Sequence, residues 1–222
     1  PKFWYPIYVS NNLKDITLRA LEVLQSVDAI ICEDTRRASI LLNHHQIKKP
    51  LLVLNDHNET LNVQNIVARL QNEHFALVSD AGTPLISDPG YKLVRECIHQ
   101  GIKVDSIPGA SSILPALTLS GLPPDKFMFL GYLPEKPGHR KDLLGKLEII
   151  NSKLPTTFII FVAPHKLIGT LHDMQDSYGN IEITLAKELT KIHQSVESKK
   201  ISEWLEQLKS PKGEYILLLR LS

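Results

Sequence analysis

Residues 79–90 read Ser-Asp-Ala-Gly-Thr-Pro-Leu-Ile-Ser-Asp-Pro-Gly. The glycines let backbone come close to a ligand, and Asp80 and Asp88 can accept bonds from an amino group or from backbone amides. A long capped turn would have the same composition. A second stretch, Ile107-Pro108-Gly109-Ala110-Ser111-Ser112, presents small residues and free N–H groups where a carboxylate can bind. A third, Cys32-Glu33-Asp34-Thr35-Arg36-Arg37, sets two acids beside two bases, a mixture able to position a polar substrate or take a proton. Helix capping and surface ion pairs would use the same residues. Asp56-His57-Asn58-Glu59 is a further polar cluster, with His57 equally at home on a solvated surface.

Several chemistries are excluded. His44 and His45 are adjacent, so they point in different directions, and no third ligand follows at helical spacing, which leaves no metal site. The phosphate-loop pattern GxxxxGK[ST] and the dinucleotide fingerprint GxGxxG are both missing. Cys32 and Cys97 each lie in an apolar run, so neither a disulfide framework nor a cysteine metal site is expected, and a reducing compartment follows. No stretch reaches the roughly 20 apolar residues of a membrane span, and residues 1–10 lack the layout of a signal peptide. The expectation is a soluble cytoplasmic protein. Lys and Arg number 25 against 24 Asp and Glu, net +1, so any contact with nucleic acid must be local.

The elements that must position these stretches alternate between strand and helix. Strands are expected at Ile7–Val9, Ala29–Cys32, Leu51–Leu54, Phe75–Ser79 and Lys103–Ile107, with helices at Leu18–Leu24, Asn62–Gln71, from Asp88-Pro89 onward, and Ser111–Leu119. Gly121, Pro123 and Pro124 interrupt the pattern and suggest a domain boundary, dividing 1–121 from 122–222. Strands near Phe127–Gly131, Thr157–Val162, Ile181–Ala186 and Tyr215–Leu219, with helices around Leu143, Leu167 and Trp204, build a second α/β domain. Lys136–Lys141 reads as an exposed basic loop. In open α/β sheets ligands bind beyond the carboxyl ends of strands, which makes residues 79–90 the first candidate site. Composition and spacing lead as far as a two-domain α/β protein with a polar small-molecule cleft.

Residues 12–43 and 77–134, containing LVSDAGTPLISDPGYKLVRE, IPGASS and SGLPPDKFMFLGYLP, resemble the small-subunit ribosomal RNA methyltransferases of the tetrapyrrole methylase superfamily. The resemblance continues through PHKLIGTL at 164–171, KELTK at 187–191 and KGEYILLL at 212–219. It implies two α/β domains with S-adenosylmethionine in the cleft between them, a homodimer, and 2′-O-methylation of a cytidine in the decoding region of small-subunit (16S) ribosomal RNA or the 30S subunit. By position, Asp80, Ala81, Gly82, Pro108, Gly109, Ala110, Ser111 and Ser112 would line the donor pocket from the first domain, with Pro164, Ala186, Leu189 and Gly213 closing it from the second. Glu33, Asp34, His57 and Glu59 are the candidates for removing the hydroxyl proton. Arg36, Arg37, Arg140 and Lys141 would hold phosphates.

The chain departs from the family in three places. Tyr8-Val9-Ser10-Asn11-Asn12-Leu13 stands where the family has Thr-Pro-Ile-Gly-Asn-Leu. Phe161-Val162-Ala163-Pro164-His165-Lys166 replaces Tyr-Glu-Ser-Pro-His-Arg, and Gln194 and Ser195 stand where acids are common. Longer members carry a helical extension after the KGEYILLL strand, and an RNA contact made by such a tail is expected to be missing. Two other readings stay open: a methyltransferase of tetrapyrroles or other small molecules with the same fold, and a non-catalytic RNA-binding relative.

Overall fold

The computed structural model describes residues 3–7 and 12–221 and divides into two compact units, one up to Ser111 and one from Ser112. The first holds a parallel sheet of β1 (Phe3–Ile7), β2 (Ala29–Cys32), β3 (Leu51–Val53), β4 (Phe75–Val78) and β5 (Lys103–Val104), in the order β3-β2-β4-β1-β5. Every residue of β2 and of β4 is buried, as parallel strands covered on both faces require. Their side chains alternate between two cores. Ile30, Cys32, Ala76 and Val78 pack with Ala20 and Leu24 of α1 (Leu18–Ser26) and Leu41 and Leu42 of α2 (Thr35–His44). Ala29, Ile31, Phe75 and Leu77 pack with Val63, Ile66 and Val67 of α3 (Glu59–Leu70) and Leu93 and Cys97 of α4 (Tyr91–His99).

That segregation fixes the open end of the sheet. The helices that follow β1 and β2 pack on one face and the helix that follows β4 on the other, while β4 lies between β1 and β2. Adjacent strands whose connections diverge leave a crevice beyond their carboxyl ends. The ends of β2 and β4 carry Glu33-Asp34 and Ser79-Asp80.

Two local expectations need correction. Asp88 and Pro89 do not open the following helix: its N-cap is Gly90 at φ +120°, a conformation that disfavours a side chain. Lys136–Lys141 is not a loop but the N-cap and first turn of α6 (Pro137–Lys153), with Pro137 at a position where its fixed φ suits a helix. The strand expected at residues 7–9 is β1, which ends at Ile7; Tyr8 to Asn11 lie outside the described residues.

The second unit holds α5 (Ile113–Leu119), β6 (Phe127–Tyr132), β7 (Thr157–Val162), α7 (Pro164–Tyr178), β8 (Glu182–Lys187), β9 (Ser195–Lys200), α8 (Ile201–Gln207) and β10 (Tyr215–Arg220), besides α6. The sheet order is β6-β7-β10-β8-β9, with β6 and β7 parallel and the other pairs antiparallel. One face is covered by α6, α7 and α8 through Leu144, Leu147, Leu167, Leu171, Met174, Ile201 and Trp204. On the other face Ala116 and Leu117 of α5 pack against Ile159, Ile216 and Leu218. The observed division therefore precedes α5, whereas the Gly121 break in the sequence follows it. Among the described residues no helix is long and apolar enough to cross a membrane.

At Gly90, an added Cβ would lie 2.7 Å from Leu77 Cδ2 in the core, whereas at Gly101, also at positive φ, it would meet nothing within 4 Å. Gly90→Ala is expected to cost about 2–4 kcal/mol and Gly101→Ala about 1–2 kcal/mol in denaturant unfolding. Equal losses would refute the steric argument.

Candidate functional site

The loop after β4 is built to hold an unusual backbone path. Gly82 (φ +82°), Leu85 (φ +72°) and Ser87 (φ +64°) all take left-handed conformations, which cost free energy at the two non-glycine positions. Side chains stabilise the path: Ser79 Oγ donates to the Gly82 carbonyl at 3.2 Å, and Thr83 Oγ1 donates to the Ala110 carbonyl at 3.4 Å. The second bond ties this loop to the Pro108–Ser111 turn. Across the crevice, Asp80 Oδ1 accepts from the Asp34 amide at 3.2 Å, and Arg37 Nε stands 3.4 Å from Asp80 Oδ2.

Acids converge here, and their environments differ. Burial raises the Asp88 carboxyl to about 7, assisted by the negative charges of Glu33, Asp80 and Asp56 and partly offset by a hydrogen bond from Ser79. Glu33 is raised as well, first by burial and then by Asp80 and Asp56, with Arg37 opposing. Asp34 moves the other way, to about 2, because Arg36 bonds its carboxylate through side chain and backbone. Asp34 is the N-cap of α2, accepting from the Arg36 amide at 2.8 Å. It is therefore a poor proton acceptor, while Glu33 and Asp88 are held where a proton is readily taken or shared. By sequence Asp88 reads as a hydrogen-bond acceptor and as the opening of a helix; its neighbourhood with Glu33 depends on strand order, which no local pattern reveals.

The remaining first-unit candidates are placed as follows. Glu59 is buried in α3, and its Oε1 accepts from the amides of Gly90 and Lys92, both at 3.0 Å, which caps the start of α4. His57 is exposed in the turn before α3, its amide bonded to Asn55 Oδ1. The Arg36 side chain is highly exposed and paired with Asp34. Pro108 and Gly109 are exposed, and Ala110 and Ser111 half-buried. Ser112 is the N-cap of α5 and begins the second unit.

In the second unit the other candidates gather at one end of the sheet. Tyr215 pairs with Val162 on one side and Lys187 on the other, which brings the end of β7, the end of β8 and the start of β10 together. Pro164 follows β7 as the first residue of α7, Ala186 lies in β8, and Leu189 and Gly213 occupy the adjoining turns. Glu188 locks these turns: its Oε1 accepts from the Glu214 amide at 2.8 Å, and its own amide donates to the Glu214 carbonyl at 3.0 Å. The Glu214 amide bond, with the Lys191 ammonium, holds its carboxyl below the usual range. Gly213 (φ +95°) is needed here, since an added Cβ would lie 2.8 Å from Glu188 Oε1. Arg140, expected to hold phosphate, is buried and bonded to Asp173 at 2.6 Å, and Lys141 pairs with Asp176 at 2.8 Å. Among the described residues, no group of three or more His, Cys, Asp or Glu could hold a metal ion.

This arrangement has relatives. The family model of Tetrapyrrole (Corrin/Porphyrin) Methylases matches residues 11–204. A crystal structure of diphthine synthase superposes with a TM-score of 0.77 over 99% of this chain and 89% of that one, at 13% identity, which speaks for the fold. The chain is 43% identical over 211 residues to ribosomal RNA small subunit methyltransferase I of Thermotoga maritima, covering 94% of this chain and 93% of the relative. It is 45% identical to the protein of the same name from Haemophilus influenzae (94% and 74%) and 46% to that from Vibrio cholerae (94% and 73%). The chain belongs to the tetrapyrrole methylase family, in its ribosomal RNA small subunit methyltransferase I branch.

A carboxyl raised in the folded state favours folding below its unfolded pKa and loses that contribution as pH rises through its folded value, here about 7 for Asp88. Asp88→Asn should therefore raise the thermal midpoint at pH 8 relative to the native protein, with the advantage shrinking toward pH 5. An advantage that grows on acidification would show that Asp88 is held charged.

Proposed function

We propose that the protein transfers a methyl group from S-adenosylmethionine to the ribose 2′-hydroxyl of a cytidine in the decoding region of small-subunit ribosomal RNA. The observation that carries this reading is the 43–46% identity to enzymes named for methylating that RNA, extending over 94% of the chain. Cytoplasmic location and a homodimer belong to the same reading, the latter checked by light scattering in solution.

The residues fit the donor. Gly82 carries open space where a Cβ would stand, and the Thr83–Ala110 bond holds its loop beside the small residues of the Pro108–Ser111 turn, so backbone can meet a ligand closely. Asp80, Ala81 and Gly82, with Pro108, Gly109, Ser111 and Ser112, bind the donor in this reading, and Pro164, Ala186, Leu189 and Gly213 bind it from the second sheet. S-adenosylmethionine supplies a methyl on a sulfonium, open to in-line displacement by an aligned oxygen. A ribose hydroxyl is a poor acid, so a base must receive its proton as the bond forms. Glu33 takes that role among the acids proposed, because Asp34 is neutralised by Arg36 and Glu59 is spent on capping α4. Asp88 is its partner in sharing charge. Arg36 holds a phosphate.

Calorimetric titration with S-adenosylmethionine should give saturable binding, and purified small ribosomal subunits lacking the modification should accept labelled methyl. Asp80→Ala should weaken donor affinity about tenfold or more, the loss of roughly one charge-assisted bond, with Asp80→Asn intermediate. Unchanged affinity in both variants would sink the placement of the pocket. Binding with methyl transfer only to small molecules would move the assignment within the fold, and no binding at millimolar donor would leave a non-catalytic RNA-binding relative.

A further inference from the structure

Residues 35–55 contain no Asp or Glu, yet they carry Arg36, Arg37, His44, His45, Lys48 and Lys49. In a chain whose net charge is +1, this is a local surplus of one sign. The segment comprises α2 and its connection to β3, followed by that edge strand itself. Ala38, Leu41 and Leu42 bury one side of α2, which leaves Arg36, Ile40, Asn43 and His44, three and four residues apart, along the exposed side. Because β2 and β3 are parallel, the helix must run from the carboxyl end of β2 back toward its amino end. Its 10 residues, at about 1.5 Å each, span about 15 Å.

The two ends of this surface differ in charge. At the start of α2, Arg36 pairs with Asp34 and Arg37 with Asp80, beside the acids of the crevice. Past the far end, neither Lys48 nor Lys49 has a carboxylate partner among the described residues. The backbone holds these two lysines firmly. The amides of Gln46 and Ile47 donate to the carbonyls of Asn43 and Leu42 at 3.1 and 2.8 Å, closing the helix with Gln46 at φ +56°. Ile47 is buried in the core that holds Leu41 and Leu42, and the Pro50 carbonyl accepts from the Ile30 amide at 2.9 Å. Lys48 and Lys49 thus bridge two anchored residues, Lys48 exposed and Lys49 half-buried. A cation whose backbone is already fixed loses less freedom when it meets an anion.

We infer that the exposed side of α2 and the Lys48–Lys49 bridge form a docking surface for the phosphate backbone of RNA, leading the strand toward the crevice at the start of the helix. This rests on the proposed methylation of RNA and adds which surface holds the strand that flanks the target nucleotide. Charge selects both the occupant and its path. Phosphates are drawn to the unpaired lysines and repelled by the acids of the crevice, so the backbone stays on the helix and the target ribose alone is brought to Glu33. Lysine contacts of this kind position a strand without reading its sequence.

The test uses the full chain and a fluorescein-labelled single-stranded RNA 12-mer, read by anisotropy across a series of KCl concentrations. The double variant Lys48→Gln/Lys49→Gln should weaken binding about 10–30-fold near 0.1 M salt and lower the salt slope by about 1.4, since each single-strand phosphate contact contributes about 0.7. Lys48→Arg/Lys49→Arg should keep both values. Lys153→Gln/Lys209→Gln, which removes the same charge from exposed lysines of the second unit, should leave the slope unchanged. Thermal midpoints and calorimetric affinity for S-adenosylmethionine, unchanged in all the variants, separate loss of the surface from loss of fold. An unchanged slope in Lys48→Gln/Lys49→Gln, or an equal fall in Lys153→Gln/Lys209→Gln, overturns the inference, as does an unmodified chain that binds no 12-mer. Native RNA affinity together with impaired methylation of small ribosomal subunits would put a protein on this face and overturns it as well. Methyl incorporation into those subunits by the unmodified chain judges the proposed function separately: a chain that methylates them while Lys48→Gln/Lys49→Gln binds RNA normally keeps its function and loses this surface.

Discussion

The position of β4 governs the first unit. A fully buried parallel strand must be covered on both faces, yet the helices that follow its two neighbours pack on one face while its own goes to the other. Nothing in that topology can close over the carboxyl end of β4, so the chain there must satisfy its polar groups locally. It does so with Ser79, Thr83 and the left-handed backbone of Gly82, Leu85 and Ser87. The same placement forces Glu33, Asp80 and Asp88 into one crevice, where burial and mutual repulsion raise Glu33 and Asp88. The raised carboxyls of Glu33 and Asp88 thus follow from strand order, and the strain in the loop is tolerated because β4 and α4 hold both its ends.

The second unit reaches a comparable result by another route. Its central strand β10 runs antiparallel to both neighbours, so the start of β10 meets the ends of β7 and β8 at one edge. Turns that are far apart in the chain become adjacent, and Glu188 bridges them by bonding to both backbone groups of Glu214. Gly213 is demanded twice, by its positive φ and by the nearness of the Glu188 carboxylate.

Features that depend on near neighbours were legible in the sequence, and features that depend on distant partners were not. The apolar runs of β2, β4 and β7 and the SDAGTPLISDPG loop announce themselves by composition. By contrast, β9 is Ser-Val-Glu-Ser-Lys-Lys, an edge strand whose polarity hides it and whose pairing with β8, including the Thr184–Ser198 hydroxyl contact, is set by the sheet. Asp88 looks like a helix cap because an Asp-Pro pair often is one; here the helix waits for Gly90, whose amide is capped by Glu59 from 31 residues upstream. Glu59, by sequence a member of a polar cluster and a candidate proton acceptor, is buried by the packing of α3 against α4. The Lys136–Lys141 segment failed for a related reason, since Pro and Gly in a basic run suit a loop and a helix start equally well.

Arg140 shows why such a misreading matters to function. A basic residue in an apparent loop suggests a phosphate contact, but this guanidinium is buried against Asp173 and also donates to the carbonyls of Pro134 and Glu135, each at 3.3 Å. Removing one member of such a pair leaves a charge buried and uncompensated, a loss of about 3–5 kcal/mol. The carbonyls it grips belong to the segment that runs from Tyr132 to the start of α6. Its charge is therefore unavailable to an exterior anion and serves to fix that segment, while Lys166, with a partner that solvent and ligands can displace, keeps its charge available. Burial, more than charge, separates the basic residue that fixes the segment from the one whose ion pair stays open to solvent.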